Sequence, residues 1–356
     1  GRRLRPHRPQ RRSVQPLALS RCLLCSEALP SKALPMPALL VCLPERQLAD
    51  LDRVRQIADG YDVVRAEGEA EIRPHLDEAE IVLGYLPPGL VSEAPKLQWI
   101  QSWSAGLDWL VEHEDFDPQA HPDLAVTSAS GIHAVPIGEH VFAVLLALSR
   151  QIPRALRDQR DRRWGSDEDY EAAFEWLDKR LVMIGAGSIG ERVIRLAGAF
   201  GMQSVAVRAS GEETPGALRT VTPDHMAGEL AEADAVVAAL PLTDATYRML
   251  DAQAFGAMKP GAVFVNVGRG ETVDQYDLVE ALRSGQVGAA ALDVFEDEPL
   301  SDASPLWGMG NVILTPHVAG ETPRYTERAL ALFADNLERW RAGGELRNRV
   351  DLQAGY

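Results

Sequence analysis

From residue 38 onward, short apolar runs alternate with amphipathic stretches. Residues 38–43 read as a strand. Residues 45–58 follow with Leu48, Leu51, Val54 and Ala58 at helical spacing. Residues 61–65, 80–84 and 97–103 read as further strands. Strand, helix, strand at this pace predicts a parallel sheet covered by helices. Residues 135–150 differ, because Val, Phe, Ala and Leu occupy nearly every side. A helix apolar all round is buried, here between domains or subunits, and this one is the candidate dimer contact.

A second alternating series begins at Arg180. Residues 181–184 read as a strand, 189–200 as a helix and 204–208 as a strand. Strands at 235–240, 262–267, 289–294 and 312–314 continue it, which predicts a doubly wound α/β unit of about six strands. Residues 322–340 form one amphipathic helix with Ala329, Leu332, Phe333, Asn336 and Leu337 inward.

The 356 residues carry 36 basic and 52 acidic side chains, a net charge of −16. Residues 1–35 hold eight basic groups against one acid, Glu27, so the body from residue 36 stands at −23. Affinity for nucleic acid comes largely from neutralising phosphates, so a body this acidic argues against that partner. No apolar run reaches the eighteen or so residues of a membrane span, so no membrane partner is expected. Residues 1–35 mix Arg, Pro and Ser without period and read as a disordered basic leader. Cys22 and Cys25 have redox or zinc spacing. With Cys42 as the only other thiol they fill neither a structural zinc site nor a disulfide framework. No metal is expected, and the cysteine usage fits a reducing cytoplasm.

Gly185-Ala-Gly187-Ser188-Ile189-Gly190 lies directly between a strand and a helix. Gly185 permits the tight turn, Gly187 lets the backbone approach a pyrophosphate, and Gly190 allows close packing of helix on strand. The helix N-terminus then offers N–H groups to the phosphates. At the end of the next strand, where an acid normally binds the adenine ribose, this chain has Arg208. A guanidinium pairs with a 2′-phosphate that a carboxylate would repel, and Ser210 adds a donor, so NADP(H) is expected over NAD(H).

Three more segments end strands of the same unit and carry Arg269, Glu298 and His317. Reduction of a 2-keto acid needs a cation for the carboxylate and carbonyl oxygen, and a proton donor as hydride reaches C2. Arg269 supplies a planar fork, His317 the proton, and Glu298 holds the imidazole ring.

With Met258-Lys-Pro-Gly-Ala-Val-Phe-Val-Asn-Val-Gly-Arg-Gly270, Ala291-Leu-Asp-Val-Phe-Glu-Asp-Glu-Pro-Leu300 and Thr315-Pro-His317 added to the glycine-rich turn, the chain from about Met36 resembles the D-isomer-specific 2-hydroxyacid dehydrogenase family. The resemblance implies Arg269, Glu298 and His317 as the catalytic set. It also implies Asp293 against the nicotinamide amide, Leu240-Pro241 and Val267 along the cofactor, and Ser104-Ala105-Gly106 binding the substrate carboxylate through backbone N–H groups. Gly131-Ile-His-Ala, Gly138-Glu-His140 and residues 159–164 are most similar to the glyoxylate/hydroxypyruvate reductase-like, broad 2-ketoacid reductase branch. A second Arg often present after position 208 is Ala209 here.

The expected architecture is therefore α/β, two doubly wound parallel-sheet domains with a cleft between. Residues 36–131 and 320–356 form a flavodoxin-like substrate domain, and 132–319 a Rossmann cofactor domain. The expected function is a cytoplasmic, homodimeric oxidoreductase that moves hydride between NAD(P)H and a small 2-keto acid. The alternative is a corepressor-like NAD(P)-sensing binding protein that need not retain the acid–base set.

Overall fold

The computed structural model describes residues 36–48, 50–111 and 113–352, so the basic leader and its cysteine pair lie outside the described residues. Two parallel sheets organise the chain. The first contains β1 (Ala38–Cys42), β2 (Asp62–Arg65), β3 (Ala79–Gly84), β4 (Trp99–Gln101) and β5 (Ala125–Thr127), in the order β2-β1-β3-β4-β5. The second contains β6 (Arg180–Ile184), β7 (Gln203–Val207), β8 (Arg219–Val221), β9 (Ala235–Ala238), β10 (Ala262–Asn266), β11 (Val287–Leu292) and β12 (Val312–Leu314). Its order is β12-β11-β10-β9-β6-β7-β8. Chain direction across this sheet reverses between β6 and β9, and such a switch point opens a crevice at the strands' carboxyl ends.

Strands buried on both faces read as continuous apolar runs, and β6, β9 and β10 are of this kind. Two short strands escape such a reading. Ala125–Thr127 is three residues long, and Arg219–Val221 is a partly exposed edge that lifts the second sheet from the expected six strands to seven. The first helix is also shorter than its periodicity suggests. It runs Leu51–Ile57, and Asp50 caps it by accepting from the Arg53 N–H at 3.0 Å.

The helix Tyr325–Arg341 returns from the far end of the chain to cover the first sheet. Leu330, Phe333 and Leu337 join its core, and Phe333 stacks on Trp99 at 5.6 Å. A buried polar chain fixes the seating. Trp99 Nε1 donates to Thr127 Oγ1 (2.8 Å), Thr127 Oγ1 donates to Gln101 Oε1 (2.9 Å), and Asn336 Nδ2 donates to the same oxygen (3.0 Å). Each of these polar groups is paired, which is the condition for burying it without a large penalty. Beyond the helix, Arg349 pairs antiparallel with Thr127, so the terminal segment lies along β5.

The apolar helix is Ala134–Ser149, and its circumference is covered largely from within the chain. Ile137, Val141, Phe142, Leu145 and Leu148 enter the core beneath the second sheet, against Leu181, Met183, Val193 and Ile194. Gly138 permits the contact with the next helix, since a Cβ there would lie 2.7 Å from Arg192 Cγ. The helix is buried, as its apolar circumference leads one to expect, and its own domain supplies most of the cover. Among the described residues no single helix is long and apolar enough to cross a membrane.

Candidate active site

One cleft of about 690 Å³ is lined by residues that follow β4, β5, β6, β9, β10, β11 and β12. All of these lie at carboxyl ends, so parallel strand direction alone brings them to one side of the sheets. Ser104, Ala105, Gly106, Gly185, Gly187, Ser188, Ile189, Leu240, Pro241, Val267, Arg269, Asp293 and His317 all line it. Gly190, Arg208, Ser210 and Glu298 do not; the first three stand behind or beside it, and Glu298 touches it through His317.

The glycine-rich turn has three distinct environments. Gly185 is left-handed (φ +90°), and a Cβ there would fall 2.5 Å from Ala239 O on the neighbouring strand. At Gly190 a Cβ would sit 2.5 Å from Gly185 O, so the helix Ser188–Ala199 could not approach the strand so closely. Gly187 has nothing within 4 Å of its missing side chain and faces open space in the cleft. Bare backbone at a helix N-terminus, open on the ligand side, fits a dinucleotide pyrophosphate. Bound there, a nicotinamide dinucleotide supplies the hydride. Arg208 and Ser210 are held together by Glu212, whose Oε2 lies 3.3 Å from both Arg208 Nη2 and Ser210 Oγ.

Arg269 is fixed through its own carbonyl, which accepts from Thr272 Oγ1 (2.7 Å) and Asn266 Nδ2 (3.1 Å). Its guanidinium lies directly over Gly106, where a Cβ would stand 2.3 Å from Nη2. Asp108 accepts from Nη2 at 3.4 Å. The cation is thus held against the Ser104–Gly106 turn, beside the backbone expected to receive a carboxylate. Within that turn the Ser104 N–H is committed to Ser102 Oγ (3.1 Å), which takes it out of the expected set of three donors. The N–H groups of Ala105 and Gly106 have no partner among the described residues.

His317 Nδ1 lies 2.8 Å from Glu298 Oε2, and Glu298 Oε1 accepts from the Phe295 N–H at 3.1 Å. The acceptor is a carboxylate, so Nδ1 carries the hydrogen and Nε2 is the nitrogen left for chemistry. Asp293 is only 3% exposed. Its carboxylate accepts from Thr315 Oγ1 (2.5 Å), Val318 N (3.0 Å) and Ala319 N (2.9 Å). This carboxylate holds the His317 turn, and Asp293 also lines the cleft. At the crossing between the sheets, His133 Nδ1 contacts Gly320 O (3.2 Å), and burial holds its imidazole below the ordinary histidine range. Tyr325 donates to Trp103 O, and burial holds its phenol up. Cys42 is buried and its thiol is pushed up to about 12.

These features have counterparts elsewhere. Residues 142–319 match the D-isomer specific 2-hydroxyacid dehydrogenase, NAD binding domain. An (S)-sulfolactate dehydrogenase from Chromohalobacter salexigens is 33% identical over 70% of this chain and 79% of its own. The chain belongs to the D-isomer specific 2-hydroxyacid dehydrogenase family. A glyoxylate reductase from Aeropyrum pernix is 33% identical over 70% of this chain and 74% of its own. The structure of a member from Xanthobacter autotrophicus Py2, in complex with NADPH and MES, superposes with a TM-score of 0.77 at 29% identity, covering 90% of this chain and all of that one. Family membership makes the protein an oxidoreductase, and the non-catalytic alternative gains no support from these relatives.

Three cleft residues, Asp108, Asn348 and Arg349, escape the motifs. Asp108 sits two positions beyond the quoted Ser104–Gly106 turn, where an acid beside an anion site reads as a helix start. Thr315 lies in the quoted Thr315-Pro-His317 motif, yet the motif assigns no role to its hydroxyl. Asn348 and Arg349 line the cleft from the terminal segment, and nothing local in the sequence announces that the segment returns there. Among the described residues no group of three or more His, Cys, Asp or Glu side chains could hold a metal ion.

The open space at Gly187 yields a clean test. Gly187→Ala should leave the melting temperature within about 3 °C, because its methyl meets no protein atom and the helix-cap change is small. NADPH affinity, measured by fluorescence titration, should fall at least about ten-fold. Unchanged affinity would remove the turn from the cofactor site.

Proposed function

We propose that this protein reduces small 2-keto acids to D-2-hydroxy acids with a nicotinamide cofactor, NADP(H) in preference to NAD(H). Residues 36–131 and 320–356 serve as the substrate domain and 132–319 as the cofactor domain. The observation that carries the reading is the 2.8 Å contact of His317 Nδ1 with Glu298, on the same cleft as Arg269. Arg269 orients the substrate carboxylate and carbonyl oxygen through its planar fork, and free N–H groups at Ala105 and Gly106 share the negative charge. His317 delivers a proton from Nε2 to the carbonyl oxygen, while Glu298 keeps the ring in place and balances its charge.

Preference for NADP(H) is supported by Arg208 at the end of β7, the place where an acid normally binds the adenine ribose. A relative of this chain binds NADPH. Glu212 now engages Arg208 and Ser210 and must yield both when a phosphate arrives. Glyoxylate and hydroxypyruvate are the first substrates to try, since a relative is named a glyoxylate reductase. A homodimer is supported by exposed apolar side chains beyond the buried helix: Leu156, Leu177 and above all Trp164, 98% exposed.

NADPH oxidation with glyoxylate or hydroxypyruvate tests the activity. His317→Ala should lower kcat at least about 100-fold while NADPH still binds. Near-normal turnover in that variant would remove His317 from its assigned role. Arg208→Asp should raise the Kd for NADPH at least about ten-fold and leave that for NADH unchanged or lower. Equal losses for both cofactors would refute the 2′-phosphate assignment.

A further inference from the structure

His317 has a backbone conformation rare for a residue with a side chain, φ +53°. Such a residue persists only where its surroundings over-determine it. Those surroundings are concentrated in one residue. Asp293 O accepts from the His317 N–H at 2.8 Å. The Asp293 side chain accepts from Thr315 Oγ1 at 2.5 Å, Val318 N at 3.0 Å and Ala319 N at 2.9 Å. Asp293 is itself anchored, because its N–H donates to Asn266 O at 3.0 Å and extends the β10–β11 pairing.

The hydroxyl of Thr315 stands at the centre of this arrangement. It has one hydrogen, and the short distance to a carboxylate that can only accept assigns that hydrogen to Asp293 Oδ1. The remaining lone pairs of Oγ1 face His140 Nε2 at 3.3 Å. His140 Nε2 must therefore carry a hydrogen and donate, which fixes its tautomer with no choice left. A continuous donor sequence runs from His140 on the buried helix to Thr315 and then to Asp293. It ends at the turn that aims the imidazole of His317. The Thr315 hydroxyl also stabilises the charge of Asp293, a residue only 3% exposed, where an under-bonded carboxylate would be costly.

We propose that Thr315 is a positioning residue for His317, acting through Asp293, with His140 fixing the Thr315 hydroxyl from the far side. Thr315 touches neither reactant; it holds the turn in which His317 sits, so its loss lets the imidazole leave the alignment needed for proton transfer. A displacement of this kind lowers the rate of the chemical step more than it weakens binding. The inference rests on the proton-donor role of His317 proposed above.

Steady-state kinetics of the full chain with NADPH and glyoxylate or hydroxypyruvate test it, on Thr315→Val and Thr315→Ser. Valine has the shape of threonine without the hydroxyl. Thr315→Val should lower kcat at least about ten-fold, while the KM for the keto acid and the Kd for NADPH stay within about two-fold. Thr315→Ser, which keeps the hydroxyl, should recover most of the lost kcat. Should the valine variant not fold, as judged by circular dichroism, Thr315→Ala carries the same comparison. Native kcat in Thr315→Val or →Ala, or a serine variant as impaired as the valine one, would overturn the proposal. His317→Ala in the same assay separates the two levels. If it retains turnover, the role of His317 fails. If it is inactive while Thr315→Val is native-like, only the positioning role fails.

Discussion

A single buried carboxylate holds the chemical end of this molecule in place. Asp293 leaves β11 with its backbone still paired to β10, and both its carbonyl and its side chain receive hydrogen bonds from the 315–319 turn. A buried charge is tolerable only when hydrogen-bonded on all sides, and here backbone N–H groups and one hydroxyl meet that need. The same bonds that stabilise the carboxylate hold His317 at φ +53°. With the turn fixed, Glu298 at 2.8 Å sets the ring's proton on Nδ1, and the other nitrogen is left for proton transfer. The backbone geometry at His317 therefore traces back to Asp293, and its tautomer to Glu298.

The cation of the site is built by a different constraint, close approach across the cleft. Arg269 follows β10 of the second sheet, and Gly106 and Asp108 follow β4 of the first. Only the missing side chain at Gly106 allows the guanidinium to lie over that turn, and Asp108 meets it at 3.4 Å. The two sheets thus contribute complementary halves. One brings a fixed positive fork and a proton donor, the other free backbone N–H groups. Under the proposed function a substrate carboxylate would satisfy both halves at once, which would give its binding a direct means of drawing the cleft together.

Much of this was legible in the sequence because parallel α/β folds place function at strand ends, and strand ends are marked by where apolar runs stop. Gly185, Leu240, Val267, Arg269, Asp293 and His317 all follow such runs, and all reach the cleft. What stayed hidden has physical reasons. The strands Ala125–Thr127 and Arg219–Val221 are too short to show a period, and their neighbours in the sheet define them. Residues 135–150 are apolar all round because a core and the next helix cover them, and composition alone could not say whether the cover came from a domain or a subunit. Asp293 reads from the sequence alone as a buried acid needing a partner, and a lone acid after a strand discloses nothing of which donors it will meet. Arg349 owes its place to a chain return that carries no local signal.

The strongly acidic body sharpens the meaning of its few cationic sites. With a balance of −23 beyond the leader, acids outnumber the cations, and Arg208 and Arg269 each begin with an acidic neighbour at 3.3 and 3.4 Å. Ligand anions must displace those contacts, so binding at both places is an exchange of one carboxylate or phosphate for another. The central claim concerns the reaction that follows. Incubation with deuterium-labelled NADPH, carrying the label on the transferable C4 position, and a 2-keto acid such as hydroxypyruvate tests it most directly. The account predicts a D-2-hydroxy acid with deuterium at C2, resolved by chiral chromatography and mass spectrometry. An L-configured product, or a product without the label, would contradict it.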